Sequence, residues 1–212
     1  MHAALLLRSV EPTRGSRGQL LQLGGVRIVV AAGGGFNVRT AASLSRFLAA
    51  RPRVTTVRRR AAGSGDAVSA LYPVAYALKS VSRKALERDY VVMPLEGLWW
   101  AEDMDTFTSA RDKSRWSWTM MVMVPDWITA AMFTGAVEQV ARKDRPARLD
   151  DLRFDVLSEG CCVQALHVGS YDDEAELLRR MHEEFIPAHG LRMVGRHHEI
   201  YLSDARRVEP VR

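Results

Sequence analysis

Two glutamates stand beside aromatic residues in segments that have the pattern of strands. Glu199 lies two residues before Tyr201, and Glu96 lies shortly before a pair of tryptophans in the segment PLEGLWW. Because side chains two residues apart share one face of a strand, the phenol of Tyr201 is expected beside the carboxylate of Glu199. Such a pair can orient a water molecule and exchange a proton with it. The alternative is a glutamate that simply hydrogen bonds a tyrosine in the interior.

Aromatic and thioether side chains are concentrated around Glu96. All five tryptophans lie between residues 99 and 127, and six of the nine methionines lie between residues 93 and 132. Flat rings and adaptable thioethers suit a cavity for bulky apolar or aromatic ligands. We therefore predict a pocket here, with an aromatic-rich core as the alternative. The predicted substrate-binding residues in this part of the chain are Trp99, Trp100, Trp116, Trp118 and Met120.

Cofactor and metal sites are not expected. The histidines show no zinc-site spacing, and His197 and His198 alternate faces, so they cannot easily bind one ion. The glycine runs at residues 33–35 and 63–65 lack the lysine and hydroxyl residue that follow in a phosphate-binding loop. The adjacent Cys161 and Cys162 make a poor disulfide, which favours a reducing cytoplasm.

Charge divides the chain into two parts. Residues 1–65 hold eleven arginines and one acid, a net charge of +10, whereas residues 66–212 carry a net charge of −5. We interpret 1–65 as an arginine-rich, atypical segment without stable order and 66–212 as the folded domain. The acidic part has no electrostatic footprint for nucleic acid, and no apolar run is long enough to cross a membrane. Monomer and homodimer both remain open.

Hydrophobic periodicity predicts alternating helices and strands from residue 66 onward. Residues 152–169 are expected to form two strands around a Glu-Gly turn. Within residues 1–65, one short strand and one short helix are expected at 26–32 and 38–50. The predicted helices are 67–87, 126–143 and 172–190, and the other predicted strands are 90–100, 116–126 and 191–204.

The two halves of the domain echo one another. A Gly-Ser pair, an acid, a helix and a strand with a glutamate and an aromatic residue occur first at 63–100 and again at 169–201. A duplicated βαββ unit would place the two glutamate strands near a pseudo-twofold axis, with both carboxylates facing one cleft. The predicted fold class is therefore α+β, with an antiparallel sheet and a central ligand cleft.

The segments PLEGLWWAEDMDTF, WSWTMMVMVPDWIT, HVGSYDDEAELLRRMHE and HHEIYLSDARR together resemble the GyrI-like small-molecule-binding family. Within that family the chain is most similar to the cyclopropanoid cyclopropyl hydrolases. The resemblance covers about residues 66–212. It departs from the family before the first helix, where residues 63–66 lead directly into the helix, the proline of the family's Gly-Asp-Pro segment is missing, and several residues are deleted.

The resemblance implies a duplicated βαββ, SHS2-type fold and a hydrolase that opens the cyclopropane of DNA-alkylating natural products, protecting the cell. Glu199 would deprotonate water, and Tyr201 or Tyr171 would hydrogen bond the oxygen on which negative charge develops. Glu96 would be a second acid or base, or a polar anchor. The tryptophans would stack on a flat polycyclic ligand, and His167 joins Met120 in the implied substrate-binding set.

Two other functions remain open. A drug-binding or sequestering protein would use the same pocket without turnover, and replacement of Glu199 would then change binding only. A nucleic-acid-associated protein would use the arginine-rich residues 1–65, with a steep dependence of binding on salt.

Overall fold

The computed structural model describes residues 2–13, 28–32, 35–37, 53–60, 64–101, 116–157, 159, 162–169 and 174–202. The chain divides into two compact units. Unit 1 comprises Met1–Ala49, Glu102–Arg111 and Glu159–Arg212, and unit 2 comprises Ala50–Ala101 and Asp112–Ser158. No helix among the described residues is long and apolar enough to span a bilayer.

From residue 64 onward, helices and strands alternate along the chain, as the periodicity predicts. In chain order they are β1 (His2–Pro12), β2 (Ile28–Ala32), β3 (Gly35–Asn37), β4 (Arg53–Arg60), α1 (Ser64–Leu86), β5 (Leu95–Trp100), β6 (Ser117–Val124), α2 (Ala130–Lys143), a 3-10 turn (Leu149–Asp151), β7 (Arg153–Val156), β8 (Cys162–Gly169), α3 (Glu174–Arg179), a π-helical turn (Arg180–Phe185), α4 (Ile186–Ala188) and β9 (Leu191–Tyr201).

Unit 2 is an antiparallel sheet with two helices. The strand order is β5-β6-β4-β7. Helix α1 contains Pro73 and carries Asp66 in its first turn and Lys84 in its last, charges that suit the helix dipole. Helix α2 begins after Thr129, whose hydroxyl accepts a hydrogen bond from the Met132 amide at 3.2 Å. These two helices and strand β6 confirm the predictions for their segments.

Strand β5 begins five residues later than predicted, at Leu95. The preceding residues are tied to the end of α1 instead of to a strand. The Ser82 hydroxyl donates to the Arg88 carbonyl at 2.7 Å and accepts from the Trp127 indole N–H at 3.0 Å. Glu87 adopts the left-handed backbone conformation, with φ of 55°. The apolar run before β5 therefore packs as an irregular connection.

Unit 1 is a five-stranded sheet of order β3-β2-β8-β1-β9. Strand β1 pairs antiparallel with both β8 and β9, and β2 pairs parallel with β8. Strand β2 confirms the strand predicted at residues 26–32, while the helix predicted at 38–50 lies outside the described residues. Strands β1, β2 and β3 of unit 1 and strand β4 of unit 2 all come from residues 1–65, so this part of the chain contributes to both units. The domain boundary at residue 66 stays a prediction.

The two units have the same arrangement of strands around a helical segment, but the chain passes through the strands in a different order. In unit 2 the chain runs β4-α1-β5-β6, and the last strand, β6, lies between the other two. In unit 1 the chain runs β8, helical segment, β9, and the strand between them is β1. Strand β1 thus takes the place that β6 has in unit 2. The repeat is a duplicated strand-helix-strand-strand unit whose fourth element comes from the beginning of the sequence.

The predicted hairpin of two strands around a Glu-Gly turn is wrong. Strand β7 pairs with β4 in unit 2, whereas β8 pairs with β1 and β2 in unit 1. A local pattern cannot reveal this, since each strand finds its partner far away in sequence.

The core of unit 1 joins β1 to the helical segment over it. Ala4, Leu6 and Val10 of β1 pack with apolar residues of β8 and of the segment 181–186. The remaining buried members of this cluster are Val163, Ala165, Met181, Phe185 and Ile186. Strand β1 is therefore a core strand, not a surface addition.

Replacing Leu6 by alanine tests this position. Leu6 is fully buried, and we expect Leu6→Ala to lower the free energy of unfolding of unit 1 by about 2–5 kcal/mol because it leaves a cavity. Urea unfolding followed by far-UV circular dichroism measures the change. The control is Leu202→Ala, since Leu202 is 48% exposed and should lose less than about 1 kcal/mol. Equal effects of the two substitutions would contradict the placement of β1.

Candidate functional site

Strand β9 presents three candidate functional side chains on one face. His197, Glu199 and Tyr201 are spaced by two residues, and they lie opposite Arg8, Leu6 and Ala4 of β1. Residues directly opposite one another in an antiparallel pair share a face. The pairing thus confirms that Glu199 and Tyr201 share one strand face, and it adds His197 and Arg8 to that face.

The helical segment of unit 1 covers this same face. Leu6 packs with Met181, Phe185 and Ile186, and Tyr201 packs against that cluster. The imidazole rings of His182 and His197 meet edge to face, with centroids 6.4 Å apart. Glu199 is therefore held between the sheet and the helical segment, where its side chain is 12% exposed.

His197 is the immediate neighbour of the Glu199 carboxylate. Its Nε2 atom lies 3.2 Å from Glu199 Oε1, and its side chain is almost completely buried. An imidazole at this distance can fix the orientation of the carboxylate and, when protonated, form an ion pair with it. The site prediction missed His197, although its spacing of two residues from Glu199 carries the same signal as that of Tyr201.

His182 reaches this face from a π-helical turn. The turn Arg180–Phe185 widens the helix where it crosses the sheet, and such turns are frequent at functional sites. Burial, together with the charges of His197 and Arg8, lowers the pKa of His182 to about 3. His182 is therefore neutral at physiological pH, and its Nε2 has no hydrogen-bond partner among the described residues.

His167 lies on the same face of the sheet, two strands away from Tyr201. It is buried on β8 opposite Ala4, which on its other side pairs with Tyr201. Two strand spacings separate the two side chains by roughly 10 Å. Tyr171, the other predicted tyrosine, lies outside the described residues.

The opposite face of β9 carries a separate pair. His198 Nδ1 lies 2.8 Å from Glu159 Oε2, and His198 is buried. The two adjacent histidines thus serve opposite faces of the sheet, as their alternation predicts. Among the described residues, no group of three or more His, Cys, Asp or Glu side chains is placed to hold a metal ion.

The tryptophans of unit 2 form an aromatic surface on β5 and β6. Trp99 lies directly opposite Trp118, and the rings of Trp99 and Trp116 meet edge to face with centroids 6.0 Å apart. Trp118 and Met120 are buried, and the Arg148 guanidinium lies 5.8 Å from the centre of the Trp118 ring. Trp99 and Trp116 keep part of their surface exposed. On this face, these two rings keep surface that a ligand can reach.

Helix α2 covers the face of the unit 2 sheet that carries Trp99. The rings of Phe133 in α2 and Phe154 in β7 stack at 5.4 Å. Phe154 of β7 and Val122 of β6 stand opposite the same residue of β4, so they lie on one face of the sheet. Trp118 is on that face too, because it is four residues before Val122 on the same strand. In unit 2, as in unit 1, the predicted site residues thus include side chains on the face of the sheet that the helices cover.

Glu96 and Trp100 lie on the other face of the unit 2 sheet. Glu96 is 4% exposed and stands opposite Met121, and Trp100 packs with Leu98 and Met121. Glu96 therefore faces away from the helices of its own unit, whereas Glu199 faces toward the helical segment of its unit. The two glutamates do not occupy equivalent positions in the repeat.

Comparison with known proteins agrees with this architecture. The sequence model of the GyrI-like small-molecule-binding domain matches residues 68–212. The chain belongs to the GyrI-like small-molecule-binding domain family. In this GyrI-like domain, the duplicated strand-helix-strand-strand arrangement is the α+β fold that the sequence predicted.

Solved structures from Listeria innocua are similar to this GyrI-like protein. An uncharacterized conserved protein is 28% identical with a TM-score of 0.64, over 75% of this chain and 82% of that one. A hydrolase is 30% identical with a TM-score of 0.62, over the same shares of the two chains. Another hydrolase is 27% identical with a TM-score of 0.60, over 75% of this chain and 81% of that one. No curated protein gives a significant match.

The neutral state of His182 predicts a specific pH dependence. The pKa of a histidine in the unfolded chain is about 6.5, above the folded value of about 3, so the unfolded state binds the proton more readily. The contribution to stability is complete above pH 6.5. It declines as the pH falls toward 3, by at most about 1.4 kcal/mol per pH unit.

Urea unfolding of the wild type and of His182→Gln, followed by circular dichroism between pH 7.5 and 5, isolates this term. As the pH falls, the free energy of unfolding of the wild type should decrease more steeply than that of the variant. The difference in slope should correspond to the uptake of one additional proton on unfolding. Parallel pH profiles would show that His182 is not held neutral in the folded state.

Proposed function

We propose that this protein is a hydrolase that opens the cyclopropane ring of DNA-alkylating cyclopropanoid compounds, with Glu199 as the base. The observation that carries the proposal is the contact of the Glu199 carboxylate with His197 at 3.2 Å, on a sheet face that also presents Tyr201. The family binds small molecules, and two similar structures are hydrolases.

The proposed reaction adds one molecule of water. Glu199 takes a proton from water while the water oxygen bonds to the strained ring carbon. The carbon–carbon bond of the cyclopropane breaks, and its electron pair moves into the conjugated dienone, which becomes an aromatic phenolate. The phenol of Tyr201 or Tyr171 donates a hydrogen bond to that oxygen. Glu199 then returns the proton to the phenolate.

His197 is proposed to position the base. A carboxylate fixed by a neighbouring imidazole cannot rotate freely, so its lone pair stays directed toward the bound water. Glu96 is assigned no part in the chemistry, because it faces away from the helices of its own unit and lies among methionine and leucine side chains. Protection of the cell's DNA by this reaction requires a cytoplasmic enzyme.

A second function is binding without turnover. The description of the family as a small-molecule-binding domain favours it. The aromatic surface of unit 2 and the buried polar face of unit 1 would then serve to sequester a drug, and no catalytic water would be needed. Turnover distinguishes the two functions directly.

Replacing Glu199 by glutamine tests the assignment of the base. The purified protein is incubated with a duocarmycin-type cyclopropane, and the water adduct is followed by mass spectrometry. We expect Glu199→Gln to lower kcat by about 10²-fold or more, because glutamine cannot accept the proton. Glu96→Gln, the matched control, should keep kcat within about threefold.

Loss of turnover in Glu96→Gln alone would transfer the role of base to Glu96. Tight binding of the compound by the wild type without any adduct would establish the sequestering function and reject the hydrolase.

The neighbouring tryptophans provide a matched test of ligand binding. Trp99 lies on the helix-covered face of its unit and Trp100 on the other. We expect Trp99→Leu to weaken ligand binding by about tenfold, the loss of one good aromatic contact, and Trp100→Leu to weaken it by less than about threefold. Isothermal titration calorimetry measures both. The reverse order would place the ligand on the face of Trp100.

A further inference from the structure

A buried arginine lies on the face of unit 1 that carries Glu199. The side chain of Arg8 is 3% exposed, and its Nε and Nη1 atoms have no hydrogen-bond partner among the described residues. Burying a cation without a counter-charge carries a large desolvation penalty. Burial accordingly lowers the pKa of the Arg8 guanidinium, yet arginine stays protonated in proteins.

The residues around Arg8 in the described part of the chain give it no direct counter-ion. Its cross-strand neighbours are His197 on β9 and Val163 on β8. His182, whose pKa the charge of Arg8 helps to lower, is neutral. Glu199 is in contact with His197, and no ion pair joins Arg8 to a carboxylate in the described part of the chain. Among the described residues, the Arg8 guanidinium therefore has no carboxylate in direct contact, although Glu199 lies on the same face.

The helical segment beside this charge has an unusual geometry. His182 comes from the π-helical turn Arg180–Phe185, and its Nε2 is a further buried ring nitrogen without a hydrogen-bond partner among the described residues. π-helical turns are rare and occur frequently at functional sites. Arg8 and His182, from two different elements, are thus neighbours. Together they contribute three buried polar atoms without a hydrogen-bond partner among the described residues: Arg8 Nε, Arg8 Nη1 and His182 Nε2.

We propose that Arg8, together with His182 and His197, forms a binding site for the carboxylate group of a small-molecule ligand. The planar guanidinium presents parallel N–H donors that match the two oxygens of a carboxylate. A carboxylate would supply both the missing charge and the missing hydrogen-bond acceptors. This site selects acidic ligands whether or not the protein opens a cyclopropane ring.

Benzoate and benzamide form the matched pair of probes, since they differ mainly in charge. Isothermal titration calorimetry is carried out with the full chain in a chloride-free buffer at pH 7.5. We expect the wild type to bind benzoate at least about tenfold more tightly than benzamide. Arg8→Met should remove this preference, and Arg8→Lys should retain part of it because the point charge remains.

Two further measurements separate a binding role from a structural one. Without ligand, Arg8→Met should unfold at the same temperature as the wild type or higher, because an apolar side chain of similar size removes the buried charge. In the wild type, benzoate should shift the ring resonances of His182 and His197 in NMR spectra, a result that needs no variant.

The proposal is overturned if wild-type benzoate and benzamide affinities are equal, or if Arg8→Met is markedly destabilised and benzoate leaves both histidine resonances unchanged. Turnover of the cyclopropane substrate is measured on the same samples. Turnover without benzoate preference rejects the carboxylate site and leaves the hydrolase standing. A preference for benzoate without turnover supports the carboxylate site and rejects the hydrolase.

Discussion

Strand β1 is the element on which the structure of unit 1 depends. Its backbone pairs with β8 on one side and with β9 on the other, and its buried side chains hold the helical segment against the sheet. Its register also sets the site, because Leu6 lies opposite Glu199 and Arg8 opposite His197. A slip of one residue would turn every side chain of β1 to the other face. Core packing and site geometry are therefore fixed by the same pairing.

Electrostatics on this face follow from its burial. Water is largely excluded from Arg8 and His197, so charges there interact more strongly than at the surface. The arginine keeps its proton and the buried His182 stays neutral, since only the second can adapt by losing charge. The Glu199 carboxylate lies on this same face, with His197 beside it. This is a preorganised polar environment of the kind that stabilises developing charge.

Sequence patterns predicted the local features of this protein well. Helix α2, strand β6 and the shared strand face of Glu199 and Tyr201 all follow from periodicity. Pairing over long distances was not predictable. The chain gives no local sign that β1 inserts between β8 and β9, or that β7 and β8 separate into different units. Arg8 was missed for the same reason, because only the fold brings residue 8 beside residues 182 and 197.

The placement of β1 has a consequence for the order of assembly on the ribosome. Residues of unit 2 from β4 to β7 form a continuous stretch of sequence apart from residues 102–111, and all their partners emerge together. Strand β1 is synthesised earlier, but its partners β8 and β9 appear only after unit 2 has been made. The apolar side chains of β1 therefore lack their native partners until β8 and β9 have been synthesised. The strand that completes the core is thus also the segment that a chaperone would most need to shield.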